Sequence, residues 1–272
     1  MEKNEEQNPI RDHIQSAAEL RHYLRQKAEG HNNYKAYGPF ERIAAIRDNR
    51  SLYLGNGKDW NDIIDCEDFN RADCPHINFG KCFSFSGDEN VALWMLYGGM
   101  DQRAGMIDFT KKGMQSILAA ERIELGHFEK NVFVSHSTLQ RDSFNLYVTD
   151  VVYCKRNSNS VYIKRYNENA PTVQPEVLDE LPECRKSYPW QYENECRLIV
   201  SVDRRSVPED CDTVKIDLSG MELGKSFERI YCGPNYPSPV PENVKASSLT
   251  GKVSWNLCKN CPCLHNRKDS DK

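Results

Sequence analysis

With 272 residues, 39% of them hydrophobic and 10% aromatic, the chain can bury a sizeable core, which excludes a disordered protein over most of its length. A formal charge of −4 excludes a uniform basic footprint for nucleic acid, although the 36 Lys and Arg leave room for a local basic groove. No apolar run approaches the ~20 residues of a membrane span, and the charged residues 1–6 do not read as a secretory signal. An odd count of 11 cysteines at irregular spacing then favours reduced thiols in a cytoplasm over a disulfide framework.

The local signals run as follows. Pro9 opens a helix in which Ile10, Ile14, Ala17, Leu20 and Leu24 recur at helical spacing as far as Gly30. Residues 31–38 read as a loop, and Pro39 opens a second helix carrying Phe40, Ile43, Ala44 and Ile46 to near Asn49. A short strand at 51–54 ends in the turn Gly55-Asn56-Gly57, followed by Trp60-Asn61-Asp62. Residues 66–80 look irregular, and 81–86 alternate as a strand. Ser86 and Glu89 have capping-box spacing ahead of a helix at 91–97, which Gly98-Gly99 stops. A strand at 103–109 leads into a short helix capped by Thr110, and a further strand follows at 131–135. Strands at 146–154 and 161–165 flank a turn at 157–159. Pro175 opens a helix to about Cys184, and strands at 191–202, 213–218 and 227–232 complete the pattern.

Helices dominate early and strands follow strands late. That order predicts an α+β fold with a mixed, largely antiparallel sheet. No linker divides the chain into comparable halves. The expected organisation is an N-terminal helix in 1–33, one α+β domain in 34–235, and a Pro/Cys-rich, weakly ordered tail in 236–272.

Four constellations could carry chemistry. In a strand, residues two apart share a face, so Glu193, Glu195 and Arg197 line one side and Tyr192, Cys196, Leu198 and Val200 the other. Two readings stay open: a solvated face on which a Glu195/Arg197 contact is worth little, or a site. In a site, one carboxylate holds a sugar hydroxyl or stabilises developing positive charge while the other acts as a base. Asn61 and Asp62 are either turn formers or ligand contacts. Trp94 and Tyr97 share one helix face, as core packing or as a ligand wall. Cys258, Cys261, Cys263 and His265 place four soft ligands together, so the tail either binds zinc or exposes reduced thiols. No GxSxG, Walker, GxGxxG or HExxH motif is present.

Taken together, the segments around 51–62, 81–109, 186–198 and 230–233 resemble the bacterial domain-of-unknown-function family 2971 across residues 34–235. The shared features are an Asn-Asp after the first strand, a Cys-Phe-Ser strand, a Trp-x-x-Tyr helix, a Gly-hydrophobic-acid-Phe strand and a Trp-x-Tyr-Glu-x-Glu-x-Arg strand. The chain departs from that pattern at Ile63, where a Pro is usual, and at Met95-Leu96. More distantly it resembles the ADP-ribosyltransferase fold, through a split sheet and a late Glu-x-Glu.

The second resemblance implies NAD as substrate. Glu195 would lie against the nicotinamide ribose and Glu193 would position or deprotonate a macromolecular acceptor, with Arg197 beside them. Tyr97 or Trp94 would stack on nicotinamide, and Tyr37, Asn61, Asp62 and Ser84 would complete the binding surface. The first-strand His or Arg of such enzymes has no identified counterpart here; Tyr34, Lys35 and Tyr37 precede the second helix, where it would be expected. The implied protein is an NAD-consuming transferase, of the kind used as a toxin or anti-phage effector. Two alternatives remain: a non-catalytic sensor or adaptor binding a nucleotide or a protein, and a nuclease holding Mg²⁺ on Asp62, Glu193 and Glu195.

Overall fold

The computed structural model describes residues 13–58, 60, 62–98, 103–154, 161–162, 172–222, 227–237, 239–250 and 252. Helix α1 (Ala17–Glu29) is capped by Ser16, whose hydroxyl accepts from the Glu19 amide. Strand β1 (Asn33–Pro39) leads directly into α2 (Phe40–Asp48), and β2 (Ser51–Gly55), α3 (Ile63–Phe69) and β3 (His76–Ser84) follow. Next come α4 (Val91–Gly98), β4 (Ala104–Thr110), α5 (Lys111–Leu118), β5 (Arg122–Glu129), β6 (Val132–Gln140) and β7 (Phe144–Asp150). Helix α6 (Pro175–Asp179), β8 (Glu195–Asp203), β9 (Thr213–Asp217), β10 (Phe227–Cys232) and β11 (Lys245–Ala246) close the chain.

These 11 strands form one sheet in the order β11-β10-β4-β1-β3-β2-β9-β5-β6, with β8 lying between β3 and β7. The pairings are antiparallel except for β10 with β11. The fold is therefore α+β with a large, mixed and mostly antiparallel sheet.

Its register divides at β3. That strand pairs with β8 along its whole length, from His76↔Asp203 to Ser84↔Glu195. On its other edge it meets β1 only through Lys35↔Ser84 and β2 only through Gly55↔Gly80. The two halves of the sheet part from each other along this edge.

Tyr34, Ala36, Phe79, Phe83, Ile107, Phe109, Leu198 and Val200 fill the main core, over which α2 and α5 lay Ile43, Ile46, Met114 and Ile117. A second cluster joins α1 (Leu20, Leu24) to Val152, Val173, Leu178 and Cys184. Among the described residues no helix is long and apolar enough to cross a membrane.

Several local expectations need correction. Residues 31–38 are not a loop, because β1 is a central strand buried on both faces. The segment 66–80 holds most of α3 and the first half of β3. Ser86 does not cap α4; the Asn90 side chain accepts from the Ala92 and Leu93 amides instead. The strand expected from Gln191 begins only at Glu195, after a 3-10 turn at Tyr188–Glu193. Val161–Tyr162 pairs with Thr172–Val173, and Val152–Cys154 pairs with Arg185–Ser187, while the turn expected at 157–159 lies outside the described residues. Residues 245–250, expected in a tail, add β11 to the sheet and seat the buried Ser247 against Glu89.

Candidate functional site

The start of β8 sets the site. Asn194 adopts a left-handed conformation (φ 45°) between the 3-10 turn and the strand. This kink, rather than strand alternation, turns the side chains of Glu193 and Glu195 onto one ammonium. Lys186 Nζ donates to Glu193 Oε2 at 2.7 Å and to Glu195 Oε2 at 2.8 Å. Arg197 lies behind, fully buried, with Nε donating to Glu195 Oε1 and Nη2 to Asp65 Oδ2, both at 2.6 Å. Its Nη1 donates to the Glu183 carbonyl at 3.0 Å. The Trp60 and Phe69 rings lie 4.7 and 5.9 Å from the guanidinium carbon. Gly80 leaves room for those rings, since a Cβ there would stand 2.7 Å from Phe69 Cζ and 3.1 Å from Trp60 Cζ2.

The expectation of a solvated face at these residues is overturned. Glu193, Glu195, Arg197 and Asp65 are all buried, Arg197 completely. Tyr192 is not on the core face of a strand either; it sits exposed in the 3-10 turn, while Cys196, Leu198 and Val200 do fill the core.

Three carboxylates share two cations here, Lys186 and Arg197. One proton on the cluster makes it neutral, which a low-dielectric site favours. Burial, then the neighbouring Glu195 charge, pushes the Glu193 carboxyl up to about 7. Burial pushes Glu195 upward too, but Arg197 and then Lys186 outweigh it and hold that carboxyl well below the usual range. Burial also raises Asp65 against the pull of Arg197. The cluster thus contains one fixed anion and one carboxyl poised near neutrality.

A shallow cleft opens beside this pair, at the place where β1 and β3 part. Glu193 and Glu195 form one wall, Tyr97 and Leu93 of α4 another, and Lys35, Tyr37, Cys82 and Ser84 the strand-borne floor. Ser84 Oγ is buried, lines the cleft and has no hydrogen-bond partner among the described residues. The Tyr37 hydroxyl accepts from the Asn90 amide at 3.0 Å. Lys35 Nζ donates to the carbonyls of Ser86, Gly87 and Asp88 at 2.8, 2.6 and 3.1 Å, so it pins the loop between β3 and α4 to the cleft rim.

Of the residues singled out in the sequence, Glu193, Glu195, Tyr37, Ser84 and Tyr97 meet in this cleft, and Arg197 supports it from behind. Trp94 does not line it. Its ring is buried edge-on against Tyr37, with centroids 4.9 Å apart, and its Nε1 donates to Glu89, so it is core. Asp62 does not line it either; its carbonyl accepts from the Cys66 amide at the start of α3. Asn61 and the set Cys258, Cys261, Cys263 and His265 lie outside the described residues. A Mg²⁺ between Glu193 and Glu195 would have to displace the Lys186 ammonium that both already hold. Among the described residues no three metal-capable side chains converge.

Asp65 and Lys186 were not identified as site residues from the sequence, and Lys35 was noted only for its place ahead of the second helix. Lys186 falls in a motif-bearing segment, and a lysine seven residues before a Glu-x-Glu was the only available signal. Asp65 joins Arg197 across 132 positions, a separation that no local pattern encodes. The sequence matches no protein-family model, no curated protein and no solved structure.

Proposed function

We propose that the chain is an NAD-consuming, ADP-ribosyltransferase-like enzyme whose working residues are Glu195 and Glu193. The observation that carries this reading is the divided acidity of the pair, one carboxylate held ionised and its neighbour poised near pH 7, at the wall of a cleft. Divergent environments around paired carboxyls are the signature of assigned acid–base roles.

Breaking the bond between nicotinamide and ribose sends its electron pair to the leaving ring and places positive charge on the ribose. Glu195, preorganised by Arg197 and Lys186, supplies a fixed negative charge to that state. Glu193 in its ionised form takes the proton of the attacking acceptor or water as the new bond forms. Tyr97 offers a ring face, Ser84 an unengaged hydroxyl for a polar group of the ligand, and Lys35 a cation on the strand that opens the domain.

The test is nicotinamide release from NAD by the purified chain. Glu193→Gln is expected to lower turnover by about 10²–10⁴ while leaving NAD-induced thermal stabilisation in place. A wild-type chain that releases no nicotinamide, or a variant that matches wild type, refutes the reading. The saturation of Glu195 by two cations favours one alternative, a non-catalytic nucleotide sensor. That protein would show the thermal shift with NAD and no release.

A further inference from the structure

Away from the cleft, the hairpin β5–β6 carries a pair of histidines that the proposed chemistry does not use. A two-residue turn at Lys130-Asn131, both with positive φ (48° and 67°), fixes the hairpin. Leu125 pairs with Ser137 but Gly126 pairs with Ser135, so His136 is the extra residue of a β-bulge. An unbroken ladder would set His136 across from Gly126, on the opposite face from His127. The bulge brings it round, and His127 Nδ1 lies 2.7 Å from His136 Nε2 with the ring planes 22° apart. Phe128, Phe133 and Tyr53 pack together at the end of the same hairpin and help fix its shape.

We infer that His127 and His136 form a two-imidazole binding site for a divalent transition-metal ion. Nitrogen ligands sit about 2.0–2.1 Å from such an ion, which puts two of them about 2.9 Å apart at a right angle and about 3.4 Å apart at a tetrahedral one. The observed 2.7 Å therefore needs to widen by about 0.2 Å for a right angle and about 0.7 Å for a tetrahedral one, and the exposed His136 ring has room to turn. Imidazole suits Zn²⁺, Cu²⁺ and Ni²⁺ and not the hard cations. Binding replaces the hydrogen that the two nitrogens share, and that proton moves to the outward nitrogen of its own ring, so both imidazoles stay neutral. Among the described residues no third metal-capable side chain joins the pair.

The full chain, ¹⁵N-labelled at histidine, is titrated with Zn²⁺ alone and its ring resonances are followed. His127 and His136 are expected to shift together and to saturate. His136→Ala is expected to weaken the response of His127 at least about tenfold, the loss that even outer-sphere partners of a metal cause. A tail variant with Cys258, Cys261 and Cys263 changed to Ser and His265 to Ala is expected to keep the response. Two unperturbed rings, a His127 response that survives His136→Ala, or one that disappears in the tail variant would each overturn the assignment. His127→Asn serves as the second variant should His136→Ala disturb the bulge.

Discussion

Replacing Glu193 by Gln offers a direct measurement of the proton that three carboxylates and two cations require. Gln preserves the shape of the neutral acid and an acceptor for Lys186, but it cannot ionise. In the wild type the carboxyl titrates near 4.5 when unfolded and at about 7 when folded. A raised folded value means stability that is complete below about pH 4.5 and lost as pH rises through about 7. Over that window the wild type should weaken relative to Glu193→Gln by about 3 kcal/mol, taking 1.36 kcal/mol per unit of pKa. Glu195, held low, contributes stability that is lost only as pH falls below its ordinary range, so it does not distort this window. Urea denaturation at several pH values reads the difference. With a slope of about 3 kcal/mol per molar urea, the gap between the two midpoints should move by about 1 M between the ends of the window and stay constant above it. Midpoints that keep a fixed separation at every pH would show that Glu193 ionises normally in the fold. The cluster would then hold no shared proton.

The same titration predicts that nicotinamide release rises with pH to a plateau above about 7 and falls about tenfold per unit below it, because only ionised Glu193 accepts a proton. A rate independent of pH across that range would remove Glu193 from the chemistry. Arg197→Met should cost about 3–5 kcal/mol in urea unfolding, since it leaves three buried carboxylates with Lys186 as their one remaining cation in the cluster. A loss below about 1 kcal/mol would contradict the burial of the cluster. Gly80→Ala should cost about 1–3 kcal/mol by driving Phe69 and Trp60 off the guanidinium, and the tryptophan fluorescence should change with it. Lys35→Met should free the loop at 86–88 and speed its amide exchange while α5 stays protected. Unaltered exchange there would show that the three carbonyls do not depend on Lys35.

What the sequence determined by itself were the elements with a local signature. Strands at 51–55, 104–110, 213–217 and 227–232 carry apolar alternation or apolar runs between turn residues. Thr110 caps α5 as its position implies, and the Glu-x-Glu-x-Arg run marked the place where charge gathers. Periodicity is visible only where two faces of an element differ. In β1, Tyr34 and Ala36 enter the core while Lys35 and Tyr37 are buried on the cleft side, so no alternation survives to identify it as a strand. Helix α3 is short, and its role rests on one buried carboxylate meeting Arg197 from 132 positions away. Trp94 and Tyr97 share a helix face in the sequence, yet the packing of Tyr37 and Leu93 decides that only Tyr97 reaches the cleft. Local chemistry specified which residues were charged or aromatic. Only the meeting of β1, β3, α4 and the turn before β8 decided which of them lost their water and came to share one proton.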